Sequence, residues 1–481
     1  MKKYIYSVPL LLFILAGSAG CKKYLDVNHD PNNPASVQES LILFPVEMSL
    51  STAIAGGSLT SGNFTTIAVT DAYWTQQMAL NQPPPQVDVY QIRPADVDQV
   101  FLTAYSTGLQ NLLILDGNSR ANKNYAYTVA AKTLTAWYLG IMTDHWGDIP
   151  YSKGLNGALV VPYDKQEDVY KAMQSMLDSA ILMADAIVNQ TLDPGIHTPG
   201  SDDALYGGDM SLWEKFAYAL KARYYIHLTK APGYDAATQA GLALGAAAKS
   251  FTSNDEEAKN AVYTSQGGQE GPWYENIDPG QGGVVMASTF INNLKSTNDP
   301  RLPILVTKGK GGTDTGRVIG TEIATNYKVY SLINDFYAAA EAPSYIFNYS
   351  EILFIEAEAL FRTSGAAVAQ PVFINGINSH MAKLGLDTSS AAVTAYVASR
   401  LPLTAGNALQ RIMEEKSIAN FLNMENYNDW RRTGFPALTI VNSPYVPTIP
   451  RRFPYPLAEI SANPQPEQSA AITDRVWWDA P

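Results

Sequence analysis

The sequence predicts a mostly α-helical fold of stacked antiparallel helix pairs, with a long loop-rich insertion and an irregular C-terminal tail. Three observations predict it. Apolar residues recur at helical spacing in segment after segment, and each segment ends in a turn containing Asx, Gly or Pro. Hydrophobic residues make up 46% of the chain and charged residues 16%, the composition of a packed protein and not of a disordered one. Cys21 is the only cysteine in 481 residues, so no internal disulfide can form and stability must come from the core.

The elements follow in chain order. Residues 1–20 read as a secretory signal: Met1-Lys2-Lys3, an apolar run from Tyr4 to Ala16, then small residues up to Gly20. The run is too short for a membrane span, which takes about 20 apolar residues, and no later run is longer. Gly20-Cys21 resembles a bacterial lipobox, in which the cysteine is acylated and becomes the mature N-terminus. Ser18 stands where that motif commonly carries a leucine-like residue. Residues 21–481 are expected to form a single domain.

Residues 22–40 are polar, and Asp30-Pro31-Asn32-Asn33-Pro34 marks an extended leader. Pro45–Ala55 reads as a helix with its proline in the first turn. Val97–Leu115 reads as another, stopped by Asp116-Gly117-Asn118. Tyr125–Trp146 has the clearest period, through Val129, Leu134, Trp137, Tyr138 and Ile141, and ends at Gly147-Asp148 with Pro150. Asp164–Asn189 places Val169, Met173, Met176, Leu177 and Ile181 on one face. Ser211–Leu228 follows, capped by Asp209 or Ser211, and then the alanine-rich Ala236–Ser250. Helix pairs of this kind bury their faces only by stacking. Their lengths are like those of tetratricopeptide units, although no clean repeat of about 34 residues is present.

Residues 251–345 break the pattern. Glycines cluster at 267–268, 280–283 and 309–312, and only Val284–Leu294 reads as helix. Long loops inside a compact protein are usually functional, so a binding surface is expected here. Helices resume at Ser350–Arg362, Val372–Met381 and Gly406–Met424. The proline-rich tail, Pro436–Pro481, is expected to wrap the surface.

The net charge is −12, and loss of Lys2 and Lys3 with the signal takes it to −14. Such a surface repels phosphate backbones, so nucleic acid is not an expected partner. Asp144, His145 and Asp148 lack the convergent third and fourth donors of a metal site; Gly147 and Asp148 read as a turn cap and His145 as packing. Glu351 and Glu358 share a helix face with Glu356 between them, but glycoside hydrolysis needs two carboxyls about 5–10 Å apart across a cleft. With Arg362 nearby they read as scaffold. No nucleophile elbow, phosphate-binding loop or metalloprotease helix occurs. No catalytic residue, metal or cofactor is therefore assigned.

Several segments together resemble the SusD/RagB-like family, in its second, shorter-motif branch. They are Cys21-Lys22-Lys23-Tyr24-Leu25-Asp26-Val27-Asn28, then Asp144-His145-Trp146-Gly147-Asp148-Ile149-Pro150-Tyr151, and the helix from Tyr349 to Ala359. Late in the chain come Ile412-Met413-Glu414-Glu415-Lys416, Tyr427-Asn428-Asp429-Trp430-Arg431-Arg432-Thr433-Gly434-Phe435-Pro436 and Arg451-Arg452-Phe453-Pro454-Tyr455-Pro456. Their order spans essentially the whole mature chain. Glu414-Glu415-Lys416 departs slightly from the family's acidic–basic pair. The resemblance implies an outward-facing outer-membrane lipoprotein, anchored in lipid through Cys21, on a tetratricopeptide-like scaffold. It further implies a lid over a SusC-like TonB-dependent barrel transporter that captures glycans or, in some members, peptides.

Aromatics in loops are the candidate ligand contacts, because an exposed ring can stack on the C–H face of a sugar. Trp273 and Tyr274 stand in a Gly-Pro-led loop, followed by Asn276, whose amide suits hydroxyls. Trp74, Gln76 and Tyr90 flank the stiff Pro83-Pro84-Pro85 run; the plainer reading of Trp74 is the end of a core helix. Trp137, Trp146 and Trp213 fall on apolar faces and read as core, and Arg301 as a salt-bridge partner. Trp477-Trp478 suits either a packing latch or a transporter contact. The expected ligand is a neutral oligosaccharide. The alternatives are a peptide-binding importer on the same scaffold and a lipid-anchored glycoside hydrolase.

Overall fold

The computed structural model describes residues 37–54, 66–81, 87–155, 158, 160–274 and 283–481. The predicted signal at 1–20, Cys21, Pro83-Pro84-Pro85 and Asn276 lie outside them. In chain order the helices are α1 (Ser40–Ser49), α2 (Ile67–Trp74), α3 (Asp98–Thr103), α4 (Gln110–Asn122), α5 (Tyr125–Trp146), α6 (Gln166–Val188), α7 (Met210–His227) and α8 (Ala236–Ala247). After them come α9 (Ser288–Ser296), α10 (Leu302–Leu305), α11 (Asp335–Ala338), α12 (Tyr349–Ser364), α13 (Ala366–Lys383), α14 (Ala391–Ser399), α15 (Ala408–Ala419), α16 (Glu425–Thr433) and α17 (Leu457–Ala462). The fold is mostly α. The long helices pack in succession, α4 on α5, α5 on α6, α6 on α7, α7 on α8, then α8 on α12 and α12 on α13.

α5 is covered by α4 and α6 and also touches α7. Nineteen of its 22 residues are buried, which is why it is apolar nearly all round. Gly140 lets α7 approach it, since a Cβ there would overlap the Tyr224 ring. α7 is capped as its sequence suggests, with the Asp209 carboxylate accepting from the backbone N–H groups of Ser211 (2.9 Å) and Leu212 (3.3 Å). Trp137, Trp146 and Trp213 are buried.

Four expectations are corrected. The first helix begins at Ser40, so Pro45 lies inside it and not in its first turn. Gly117 does not stop α4, which runs on to Asn122 and ends where Lys123 turns left-handed (φ 60°). Val284–Met286 is a strand, β3, and the helix starts only at Ser288. β3 pairs antiparallel with β1 (Met78–Leu80), Met286 opposite Met78 and Val284 opposite Leu80. A second pair, β2 (Ala258–Asn260) with β4 (Ser344–Phe347), ties the other part of the insertion. Lastly, the tail does more than wrap the surface. Trp478 is fully buried and its Nε1 donates to Asp144 Oδ1 at 2.8 Å, while Phe453 and Tyr455 join the main core.

That core runs from Ile42 to Trp478 and takes in insertion residues such as Trp273, Met286 and Phe290. A second cluster, with Phe354, Phe373, Ile377 and Ile412, lies among α12, α13 and α15.

Candidate functional site

The predicted aromatics do not form an exposed platform. Trp74 is fully buried; its Nε1 donates to the Val87 carbonyl at 3.1 Å, and its ring meets Tyr427 and Phe453 edge-on. Tyr90 is buried too, and its hydroxyl accepts from the Val441 N–H. Trp273 is 4% exposed. The Gly-Pro lead-in turns this ring inward: Gly271 N–H donates to the Ala340 carbonyl at 2.7 Å, an approach that a Cβ at Gly271 would obstruct. These three residues are corrected from ring-stacking contacts to core. Tyr274, 38% exposed, is the predicted ring that stays at the surface. Gln76 takes a different place, in the wall of a cleft.

The cleft has a volume of about 450 Å³. One wall is the end of α2. Gln77 N–H donates to Ala72 O (2.9 Å) and Gln76 N–H to Tyr73 O (3.0 Å), a helix-ending motif whose left-handed position usually holds glycine. Here it holds Gln76 at φ 57°. A side chain at such a strained position is a pointer to function, and that of Gln76 bridges two walls. Its Nε2 donates to the Thr439 carbonyl and its Oε1 accepts from Thr289 Oγ1 at 2.9 Å. Gln77 does likewise, donating to Ser417 O (3.0 Å) and accepting from Leu422 N–H (3.0 Å).

The opposite wall is α9. Phe290, Ile291 and Leu294 face the core, so the alternation of the helix leaves Asn292, Asn293 and Ser296 exposed along the rim. Phe290 stacks nearly parallel on Phe421, centroids 5.0 Å apart. Asn426 and Ser417 come from α16 and α15, and Pro436, Ala437 and Leu438 from the tail. Glu414 is the charged side chain in the lining, and it is paired with Arg400 at 2.5 Å. Among the described residues, no Lys, Arg or His lines the cleft. The surface is therefore one of amides and hydroxyls beside a small aliphatic patch, suited to hydroxyl or amide groups and poorly suited to anions.

Other polar groups are already committed. Glu351 accepts two 2.8 Å bonds from Arg223. Glu358 is held by Arg432 and Arg362; burial alone would raise its pKa, but the two guanidiniums outweigh burial and bring it down to about 2. The two carboxylates considered for hydrolysis are thus locked in separate ion pairs. His145 bonds Asp71 at 2.8 Å and His227 bonds Glu425 at 2.7 Å, all four buried. Arg301 is buried against Asp299 and Glu415, an ion-pair role. A second recess of about 740 Å³ contains Glu39 and Asp202, but Glu39 accepts from Asn122 and Asn124, and Asp202 from Tyr127. Among the described residues no group of three or more His, Cys, Asp or Glu side chains could hold a metal, and no helix is long and apolar enough to cross a membrane.

Sequence reasoning found Gln76 but missed Asn292, Asn293 and Asn426. Adjacent outward-facing asparagines on a short amphipathic helix were a usable signal. Asn426 had none, because its neighbours in the cleft come from distant parts of the chain.

A family model described as starch-binding and associating with the outer membrane, SusD-like, matches residues 31–456. Curated proteins give no match. Among solved structures, one named as a chitin-binding protein superposes with TM-score 0.76 at 23% identity, covering 92% of this chain and 100% of its own. A SusD/RagB family protein from Bacteroides thetaiotaomicron gives 0.76 at 22%, covering 92% and 99%. A chitin-binding SusD homolog from Flavobacterium johnsoniae gives 0.72 at 22%, covering 85% and 93%. At these identities the likeness is one of fold.

Proposed function

We propose that this chain, which belongs to the SusD-like family of starch-binding proteins associating with the outer membrane, is a non-catalytic surface lipoprotein that captures a neutral oligosaccharide and passes it to a SusC-like TonB-dependent barrel transporter. Acylation of Cys21 would anchor it to the outer membrane, facing outward. The observation that carries the ligand class is the cleft beside Gln76: open, rich in amides and hydroxyls, and lined by no cationic side chain among the described residues.

Capture there relies on hydrogen bonds to sugar hydroxyls more than on ring stacking, because Trp74, Tyr90 and Trp273 are buried. Gln76 holds the two walls together. Few contacts per sugar unit give modest affinity, which suits a lid that must release its cargo. The relatives named as chitin-binding support a glycan ligand.

The test is electrophoresis of the mature protein through gels cast with neutral and acidic polysaccharides, with reducing sugar assayed alongside. Retardation by a neutral glycan without sugar release is expected. Retardation by none of them, with binding of neutral peptides instead, would move the function to peptide import, and sugar release would make the protein a hydrolase.

A further inference from the structure

The charges behind one wall of the cleft do not balance. Glu414, on α15, lines the cleft with 22% of its side chain exposed. Its Oε1 accepts from Gln410 at 2.8 Å and its Oε2 from Arg400 at 2.5 Å. Arg400 is shared, since it also lies 2.9 Å from Glu415. Glu415 in turn pairs with Arg301, and Arg301 with Asp299, all three fully buried. The linked group holds three carboxylates, Glu414, Glu415 and Asp299, against two guanidiniums, Arg400 and Arg301. His380 Nδ1 accepts from Arg301 at 3.2 Å and adds no charge, because burial and that guanidinium hold its pKa well below the ordinary histidine range. One negative charge is left over, and of the three carboxylates Glu414 is the one that reaches solvent.

The basic residues nearest in sequence are engaged elsewhere. Arg411, one turn earlier on α15, donates to the Pro402 carbonyl at 3.4 Å. Lys295, beside the lining residue Ser296, donates to the Asp314 carbonyl at 3.2 Å. Lys416 is buried against Glu351, Glu425 and Asp429. Ion pairing does not call for Glu414 either: without it the group would stand at two charges against two.

Resting on the glycan-binding reading above, we infer that Glu414 decides which charge of glycan the cleft accepts: its carboxylate accepts from hydroxyls of a neutral sugar and repels a sugar bearing a carboxylate or sulfate. Each Glu414 oxygen keeps a lone pair beyond its bond to Gln410 or Arg400, and a carboxylate bonds a hydroxyl more strongly than an amide does. The same charge acts against a bound anion. Two like charges about 6 Å apart at a protein surface weaken binding about tenfold or more.

The test is retardation of the mature chain in gels run at low ionic strength, where charge effects are least screened. From amylopectin, laminarin, galactomannan and xyloglucan, the polymer that retards the parent most is chosen, and a portion is oxidised so that C6 hydroxyls become carboxylates. The parent should bind the oxidised form about tenfold more weakly than the neutral one. In Glu414→Gln that gap should close from both sides, with the neutral form held less and the oxidised form more. Ser296→Lys, an exposed change on α9 in the same lining, should also admit the oxidised form, and it keeps the test valid should Glu414→Gln fail to fold. Leu182→Lys adds the same charge on the exposed face of α6, outside the cleft, and should leave the gap as it was. Equal retardation of the parent by both forms, or a gap that the cleft variants leave open, would overturn the role of Glu414 and leave the glycan reading standing. A gap closed as fully by Leu182→Lys would assign the exclusion to net charge and overturn it too. Retardation by none of the four polymers would remove the glycan reading and this role with it.

Discussion

Arg223 and Glu351 form a buried two-bonded pair: Nε and Nη2 of Arg223 each donate to one Glu351 oxygen at 2.8 Å. The guanidinium also lies over the Phe347 ring, 3.8 Å from its centroid. Lys416, Glu425, Asp429, Arg432 and Glu358 continue the network, which joins α7, α12, α15 and α16. α7 is separated from the other three by more than a hundred residues, so the charges help fix how the middle of the chain meets its later helices.

Removing one member strands the other without water. Glu351→Ala should cost about 3–5 kcal/mol, as expected for breaking a buried ion pair. Urea denaturation measures it. A loss below about 1 kcal/mol, the range of exposed pairs, would show that this pair is solvated.

Glu358 makes part of the stability acid-sensitive. Burial opposes ionisation, but Arg432 and Arg362 hold its pKa near 2, against an ordinary 4.5. A depressed carboxylate contributes stability that is fully present above 4.5 and is lost as pH falls from about 4.5 towards 2. The shift corresponds to about 3 kcal/mol. Melting temperatures followed from pH 7 to 3 should drop through this window, and Glu358→Gln should flatten part of the drop. An unchanged slope in that variant would assign the acid sensitivity to other groups.

Trp478 closes the core from the C-terminal end. It is fully buried and donates to Asp144, and the neighbouring Asp479 takes both arms of Arg451 at 2.5–2.6 Å. Trp478→Ala should cost about 3–5 kcal/mol. A melting temperature within a degree or two of the parent would show that the tail is only a covering.

The scaffold was legible where one segment decides its own structure. α5 matched its predicted bounds, Tyr125–Trp146, because its apolar period is long and Gly147 ends it at φ 78°. Legibility failed where a distant partner decides. Asp116-Gly117-Asn118 looked like a stop, yet Leu112, Leu115 and Ser119 bury one continuous face and carry α4 past it. Val284–Met286 becomes a strand only because Met78–Leu80 lies beside it. The cleft was the least legible part, since α2, α9, α15, α16 and the tail each supply a piece. Loop position suggested exposure for Trp273, but the turn at Gly271 tucks its ring into the core.

Trp273→Ala consequently tests packing and not binding. It should lower stability by about 3–5 kcal/mol while the folded fraction keeps its affinity for glycan. Thermal melts read together with gel retention separate the two. Lost retention at unchanged stability would restore the ring to a ligand site.

The most direct test of the account compares the parent with Asn292→Ala/Asn293→Ala, both side chains exposed on α9. Retardation of each is measured in gels cast with the neutral glycan that retards the parent most. The double variant is expected to melt at the parent's temperature and to be clearly less retarded. Equal retardation of two equally stable proteins would contradict it, because the glycan would then bind somewhere other than this cleft.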